Sequence, residues 1–386
     1  MSEINAGIFK KEEGGSSPEL IGKTELTSPY FMVPPSGTTA QRPSGCAPGT
    51  LRFNTDIGSL EYFKGDTLGW ETINRVSSSL GKTGGGSNAG VGARGLSLCG
   101  SVPGTNEVNT IEYLTISTLG NAEDFGDATV AVRQGTALAS KTRALHLGGF
   151  DGSDRHNTIG YVTISTTGNA ADFGDLSQTV IGHPAGFASQ TRGITAAGES
   201  PGNTNEIEYV TIASFGNGVD FGDRTNAMQG VFGGGSSTRG IMAGGFSPSV
   251  SNVIDFITIA STGNAQDFGD MVQERRGGSK GQSSNSTRFV MYAGSQPTLR
   301  DYISYVTIAT SGNDIDFGDA SAAMEVPAAM ASPTRCVFAG GDAPTDTNVI
   351  SYIEFATTGN AVDFGDTSLA GGFAGGSGCS NAHGGL

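Results

Sequence analysis

The chain has no run of about 18 apolar residues, so no segment is expected to cross a membrane as a helix. Positive charge is scarce. There are 22 Lys and Arg against 37 Asp and Glu, a net charge of −15, which argues against nucleic acid as a partner because that affinity rests on neutralising phosphates. Only 15% of the 386 residues are charged, too few for a chain kept disordered by its own charge. The four cysteines, Cys46, Cys99, Cys336 and Cys379, form no CxxC and no close pair. A disulfide framework and a structural zinc site are therefore not expected, and four free thiols fit a reducing cytoplasm. The opening "MSEINAGIFKKEEGGSS" lacks a basic end followed by an apolar core, so a secretory signal is not expected. Helical periodicity is missing throughout.

Glycine is abundant, with 62 residues, and the chain repeats itself. A Gly-Asn dipeptide places Asn121, Asn169, Asn217, Asn264, Asn313 and Asn360 at steps of 48, 48, 47, 49 and 47 residues. Each copy leads into Asp-Phe-Gly-Asp, as in "IASTGNAQDFGD" (259–270). A second phrase interleaves with the first. Arg94, Arg143, Arg192, Arg239, Arg288 and Arg335 each precede a short apolar stretch ending in glycine, such as "TRGIMAGG", and His383 stands at the arginine position of a truncated seventh copy. Periods of this length mark repeat architectures.

Each unit parses into four strands. In the second unit these are "GTALASK" (135–141), "ALHLGG" (144–149), "NTIGYVTIS" (157–165) and "DFGDLSQTV" (172–180). The third alternates apolar and polar residues, as a half-buried strand does. Four strands in some 48 residues is the size of a propeller blade, and propellers leave only short protected sheet edges. The small-residue strand belongs nearest the axis, where space is least. An apolar strand followed by a double glycine resembles the kelch repeat, and the resemblance implies architecture rather than activity. Residues 85–368 hold six full units. The remnant "GGSGCSNAHGGL" (375–386) is expected to complete the first blade, closing a six-bladed β-propeller over 79–386 and removing an exposed edge. The rival is seven blades, with the last strands paired to an N-terminal hairpin.

Before the repeats, residues 1–26 read as an extended docking arm, and residues 27–78 as a small β-hairpin attachment module. "LRFNTDIGSLEYF" reads as a hairpin and "WETI" as a third strand carrying Trp70, the only tryptophan. So few residues bury little core alone, so the module is expected to dock, oligomerise or bind a partner. The stretch "SGTTAQRP...GTLRFNTDIGSLEYFKG...W" resembles a short module of tailed-phage virion proteins, especially tail-fibre and neck-appendage proteins. The units of the form "TRGIMAGG...IDFITIASTGNAQDFGD" resemble arrays in structural proteins of phages that infect cyanobacteria. The two resemblances span most of residues 33–386. They imply a virion structural protein, an appendage such as a tail fibre, neck or capsid-attached fibre, and they transfer no catalytic residue.

Candidate chemistry is confined to the repeats. The aspartates Asp124 and Asp127, Asp172 and Asp175, Asp220 and Asp223, Asp267 and Asp270, Asp316 and Asp319, and Asp363 and Asp366 read either as calcium ligands or as turn chemistry. Two carboxylates per unit are few for an ion that takes 6–8 oxygens, so turn chemistry is the expectation, with phenylalanine between them buried. The arginines read either as a surface that binds anionic sugar or as partners of the repeat aspartates, and the ion pair is the expectation. His146, His156, His183 and His383 fall in different units and form no constellation. No catalytic, cofactor-binding or metal residue is assigned, and the chain is not expected to be an enzyme. The expected partners are other virion proteins through residues 1–78, with a host-surface glycan or protein at the variable loops of the repeats. The expected location is the virion, assembled in the host cytoplasm as part of an oligomer, without nucleic acid or membrane insertion. A host-glycan adhesin and a non-viral kelch-like scaffold are the alternatives.

Overall fold

A computed structural model describes residues 34–56, 59–67, 69–72, 93–103, 107–199, 202–344, 346–369 and 372–386. The 1–26 arm and the glycine-rich stretch 81–92 lie outside these residues. The described chain is all-β apart from one 3-10 turn at Thr39–Gln41, and it holds no helix long and apolar enough to cross a membrane. It divides into two compact units, residues 1–75 and 76–386.

In the first unit, Leu51–Asn54, Ser59–Phe63 and Trp70–Thr72 form an antiparallel meander, and the short strand Ser36–Gly37 pairs in parallel with the first of them. Phe63 packs on Trp70 with ring centroids 5.3 Å apart. A buried carboxylate, Glu61, occupies what would otherwise be apolar core.

The second unit is a series of antiparallel repeats, most of them four strands each. The second repeat uses Thr136–Ala139, Arg143–Phe150, Arg155–Thr163 and Ala171–Asp175, in chain order. The first repeat draws its opening strand from the far end of the chain. Ser377–Ser380 pairs antiparallel with Arg94–Ser101, so Cys379 lies opposite Leu96. Opening strands are short and fully buried, and they consist largely of Gly, Ala and Ser, as in Ala328–Ala331 and Ser377–Ser380. Crowding explains the composition. Lys280–Gln282 pairs in parallel with Ala328–Ala331 and bridges to Gly378, joining the sixth and first repeats in one nine-stranded sheet. A Cβ placed on Gly281 would lie 1.8 Å from the Gly378 carbonyl oxygen, so only glycine fits there.

The core lies between sheets rather than within one. Each sheet is thin and has two faces, so each face must be covered by a neighbour. Six apolar clusters do this, one at every junction of consecutive repeats. Phe125 sits with Val162 and Ile164 of the next repeat, and Phe364 of the last repeat sits with Leu114 and Ile116 of the first. The phenylalanine of every Asp-Phe-Gly-Asp is buried in such a cluster, as expected from the sequence.

The same junctions carry a backbone latch. The Gly-Asn turn of one repeat lies along the outer strand of the one before it. Its glycine N–H donates to the phenylalanine carbonyl of the neighbour at 2.7–3.1 Å, and the N–H two residues on donates to the second aspartate's carbonyl at 2.7–3.2 Å. The turn asparagine side chain accepts the N–H of that aspartate at 3.0–3.1 Å. The series returns to its start, because the Asn121 side chain accepts from Asp366 N–H and Gly120 N–H donates to the Phe364 carbonyl. Each outer edge, with its unpaired backbone groups, is thereby covered.

The glycine of Asp-Phe-Gly-Asp is what permits the approach. At Gly222 (φ +139°) an added Cβ would meet the Gly263 carbonyl carbon and oxygen at 2.6 Å, whereas a Cβ on Gly263 (φ +150°) would have no atom within 4 Å. Both backbones are in a region nearly confined to glycine, so the two substitutions differ mainly in the contact. Gly222→Ala is expected to cost about 3 kcal/mol and Gly263→Ala about 1–2 kcal/mol in thermal or denaturant unfolding. Equal costs would mean that the close contact does not hold the junction. Deleting residues 375–386 removes the opening strand of the first repeat and bares the edge of Arg94–Ser101. It is expected to cost on the order of 5 kcal/mol or to abolish the cooperative transition, whereas retention of the full-length melting temperature would show that this strand is dispensable.

Candidate functional site

The repeat aspartates do not gather. Their side chains lie at the outer strands, exposed or half-buried, and only Asp220 uses its carboxylate locally, accepting the Gly222 N–H at 3.1 Å. The turn is held instead by asparagine side chains and by aspartate backbone. Among the described residues no group of three His, Cys, Asp or Glu side chains is placed to hold a metal ion.

The expected pairing of the repeat arginines with the repeat aspartates is wrong. Each arginine lies over the aromatic ring of the third strand of its own sheet, at 4.3–5.3 Å from the centroid, on Tyr113, Tyr161, Tyr209, Phe256, Tyr305 or Tyr352. The guanidinium then donates to a main-chain carbonyl of the next repeat, for example Arg192 to Ile259 at 2.9 Å and Arg239 to Ile308 at 2.9 Å. Arg335 of the last repeat reaches the Ser117 carbonyl of the first, and among the described residues it alone of the six has a carboxylate partner, Glu354 at 2.7 Å. The reason is geometric. The strand alternation that buries the arginine stem against a ring turns the aspartates of the outer strand to solvent. A flat cation suits both the ring face and the carbonyl, so the arginines are inter-repeat staples. His383, at the arginine position of the truncated copy, is buried, and one ring nitrogen lies 2.7 Å from the Ala139 carbonyl. Burial lowers its pKa to about 4, so the neutral ring carries this contact.

The four histidines stay apart. His156 pairs with Asp151 at 2.9 Å, His146 is buried in the second repeat with its pKa lowered to about 4, and His183 lines a cavity.

Two polar centres went unread in the sequence. The first surrounds Glu61 of the N-terminal unit. Arg42 donates to it through Nη2 at 2.6 Å, Arg52 lies 3.4 Å away, and the Asn54 amide donates at 3.1 Å. Thr38 and Gln41 form a reciprocal cap on the 3-10 turn that aims Arg42, while Arg52 lies over Trp70. Three residues of the stretch "SGTTAQRP...LRFN...LEYFKG...W", Arg42, Arg52 and Asn54, thus converge on the Glu61 carboxylate. The signal in the sequence was a Glu at an inward position of a hairpin strand, with Arg52 directly opposite on the partner strand and Arg42 a little upstream.

The second centre is a polar cavity of about 440 Å³ in the repeat unit. It is lined by the links that carry the chain from each repeat into the next opening strand. At six equivalent positions these links hold a left-handed residue, Gln134, His183, Gly230, Gly277, Val326 and Gly375, with φ between 52° and 69°. Their backbones form a collar. Gln134 N–H donates to Gly375, His183 to Gln134, Gly277 to Gly230 and Val326 to Gly277, at 2.6–3.1 Å. Following the repeats, the lining side chains run Arg133, His183, Gln229, Arg276, Glu325, then Asp342 and Asp346. Cations hold one arc and carboxylates the other. Burial, followed by the charges of Lys280, Arg133 and Arg276, holds His183 well below the usual imidazole range. Lys280 is 1% exposed and donates to the Val231 carbonyl at 3.1 Å; burial lowers its pKa to about 7, opposed by Glu325. Burial and then Asp342 raise the carboxyl of Asp346.

No model of a known protein family matches the chain, and no curated protein matches it.

The hydrogen bond from Arg42 holds Glu61 below its ordinary value of 4.5. A carboxyl depressed by folding stabilises fully above that value and loses the contribution as pH falls through its folded pKa. The N-terminal unit is therefore expected to destabilise below pH 4.5, and Glu61→Gln should flatten that acid limb. Glu61→Ala leaves Arg52 buried without its partner and should cost about 3 kcal/mol, the low end for a broken buried pair because Arg42 is partly exposed. Tryptophan fluorescence of Trp70 during acid titration reads the transition, and an unchanged acid limb in Glu61→Gln would remove Glu61 as its cause.

Proposed function

We propose that the chain is a structural component of a phage virion appendage, anchored by its N-terminal unit and displaying the repeat unit as a six-bladed, kelch-like β-propeller. The observation that carries the anchoring role is the Glu61 cluster. Several of the residues by which this stretch resembles tailed-phage modules, Arg42, Arg52, Asn54 and Glu61, are spent on holding a very small fold together around one buried ion pair. Such a fold, a compact unit of its own, is economical as an attachment piece. The propeller reading is supported by the cyclic return of latches, staples and apolar clusters after six repeats. Kelch likeness is supported by the paired left-handed residues that end the second strand of each repeat, such as Gly148-Gly149, Gly244-Gly245 and Gly340-Gly341. The role is mechanical rather than catalytic: the repeated polar phrase is used up in joining repeats.

The test is incorporation into particles. In a phage carrying this gene, full-length protein is expected in purified virions, and Glu61→Ala should reduce its copy number at least tenfold. The melting transition of the repeat unit should stay unchanged in the same variant. Absence of the wild-type protein from purified virions would overturn the proposal, and so would incorporation of the variant at the wild-type level after its N-terminal unit has been shown to unfold.

A further inference from the structure

The collar around the cavity joins repeats through backbone groups, which leaves the lining side chains for another use. The cavity's volume, about 440 Å³, is in the range of small-molecule sites and larger than one or two waters require. Its chemistry is specific. Arg276 lies over Phe246 at 4.6 Å and has no carboxylate within ion-pair distance among the described residues, so its donors are free for a ligand. Arg133 shares only its Nε with Glu107, at 3.1 Å, which leaves the outer fork of the guanidinium available. A Cβ on Gly375 would lie 3.5 Å from both Arg133 Cβ and His183 Cε1, so these two side chains flank a bare stretch of backbone. The Nδ1 of His183 is buried without a hydrogen-bond partner.

The opposite arc narrows the ligand class. Asp342, Asp346 and Glu325 repel a compact anion and call for donors. A nucleotide needs an apolar or aromatic slot for its base, and the lining has no Phe, Tyr or Trp and a single small ring, the His183 imidazole. A fully cationic ligand meets the arginines. A polyhydroxylated carboxylic acid satisfies both arcs. Its carboxylate takes the bidentate donors of arginine, its hydroxyls donate to carboxylates, and the amides of Gln134 and Gln229 accept or donate as needed.

We propose that this cavity binds a small acidic sugar, with the carboxylate on the Arg133–Arg276 arc and the hydroxyls on the Asp342–Asp346 arc. The sugar is a uronic acid, either free or as a residue of a polysaccharide. This goes beyond the anchoring role, and it stands or falls separately because the cavity and Glu61 lie in different units.

Isothermal titration of the full-length chain decides it, using galacturonate and glucuronate as probes, with galactose, sodium sulfate and serine as controls. One of the uronates is expected to bind at least tenfold more tightly than every control. Arg276→Gln and Arg133→Gln should each weaken it at least tenfold without moving the melting temperature. Asp342→Asn should weaken the uronate while leaving sulfate unchanged or improved. A trimer of the uronate that binds more tightly than the monomer identifies a polysaccharide as the source, and equal affinity identifies the free sugar. The proposal is overturned if neither uronate binds at about 10 mM, if sulfate, galactose or serine binds as well, or if both arginine variants bind like the wild type in the folded state.

Discussion

The close approach of two glycine backbones at each junction is the constraint on which the repeat unit depends. Where Gly222 faces Gly263, no side chain fits, and the Gly-Asn turn can lie flat along the neighbouring outer strand. That contact brings three hydrogen bonds into range at once: glycine to phenylalanine carbonyl, the N–H two residues on to aspartate carbonyl, and aspartate N–H to asparagine. Individually each is worth about 1 kcal/mol. Together they set the spacing at which the phenylalanine drops into the apolar cluster between sheets and the arginine reaches the next carbonyl. The phrase that looked like a ligand set is a joint, written once per repeat because each repeat has one neighbour to hold.

This arrangement resolves the difficulty of a thin sheet. A four-stranded sheet cannot bury both of its faces by itself, and its outer strand presents free N–H and C=O groups. Here both needs are met by the neighbouring repeat. Stability is consequently a property of junctions. The loops between the second and third strands differ, as "DGSDRHN" does from "SPSVSN", and the first still reaches its neighbour through Arg155 and Glu199, while the glycines, asparagines and arginines of the junctions keep their places.

The central links obey a second constraint. The opening strands crowd together until glycine meets glycine, and the links above them turn through left-handed backbone, even where the residue is Gln134, His183 or Val326. Their side chains then stand around a common cavity. Charges that lie far apart in the chain, Arg133 and Arg276 on one arc and Asp342 and Asp346 on the other, become a single electrostatic pattern. The N-terminal unit solves its own shortage of apolar surface differently, with a buried ion pair whose arginines arrive from a capped turn and from a neighbouring strand.

The sequence by itself determined the all-β character, the period and the burial of phenylalanine between the aspartates, because these follow from local alternation and from turn chemistry repeated at a fixed step. It did not determine what the arginines touch. Net pairing of opposite charges suggested aspartate, but strand alternation sends the two side chains to different surroundings, and only the placement of the adjacent sheet supplies the carbonyl and the ring. The Glu61 cluster and the polar cavity were likewise not read: the first joins residues 7 to 19 positions apart whose aim depends on the 3-10 turn and the hairpin register, and the second is assembled from links spread over the repeats. Tertiary structure alone decided these, because a contact between distant residues depends on how sheets stack, which no local pattern encodes.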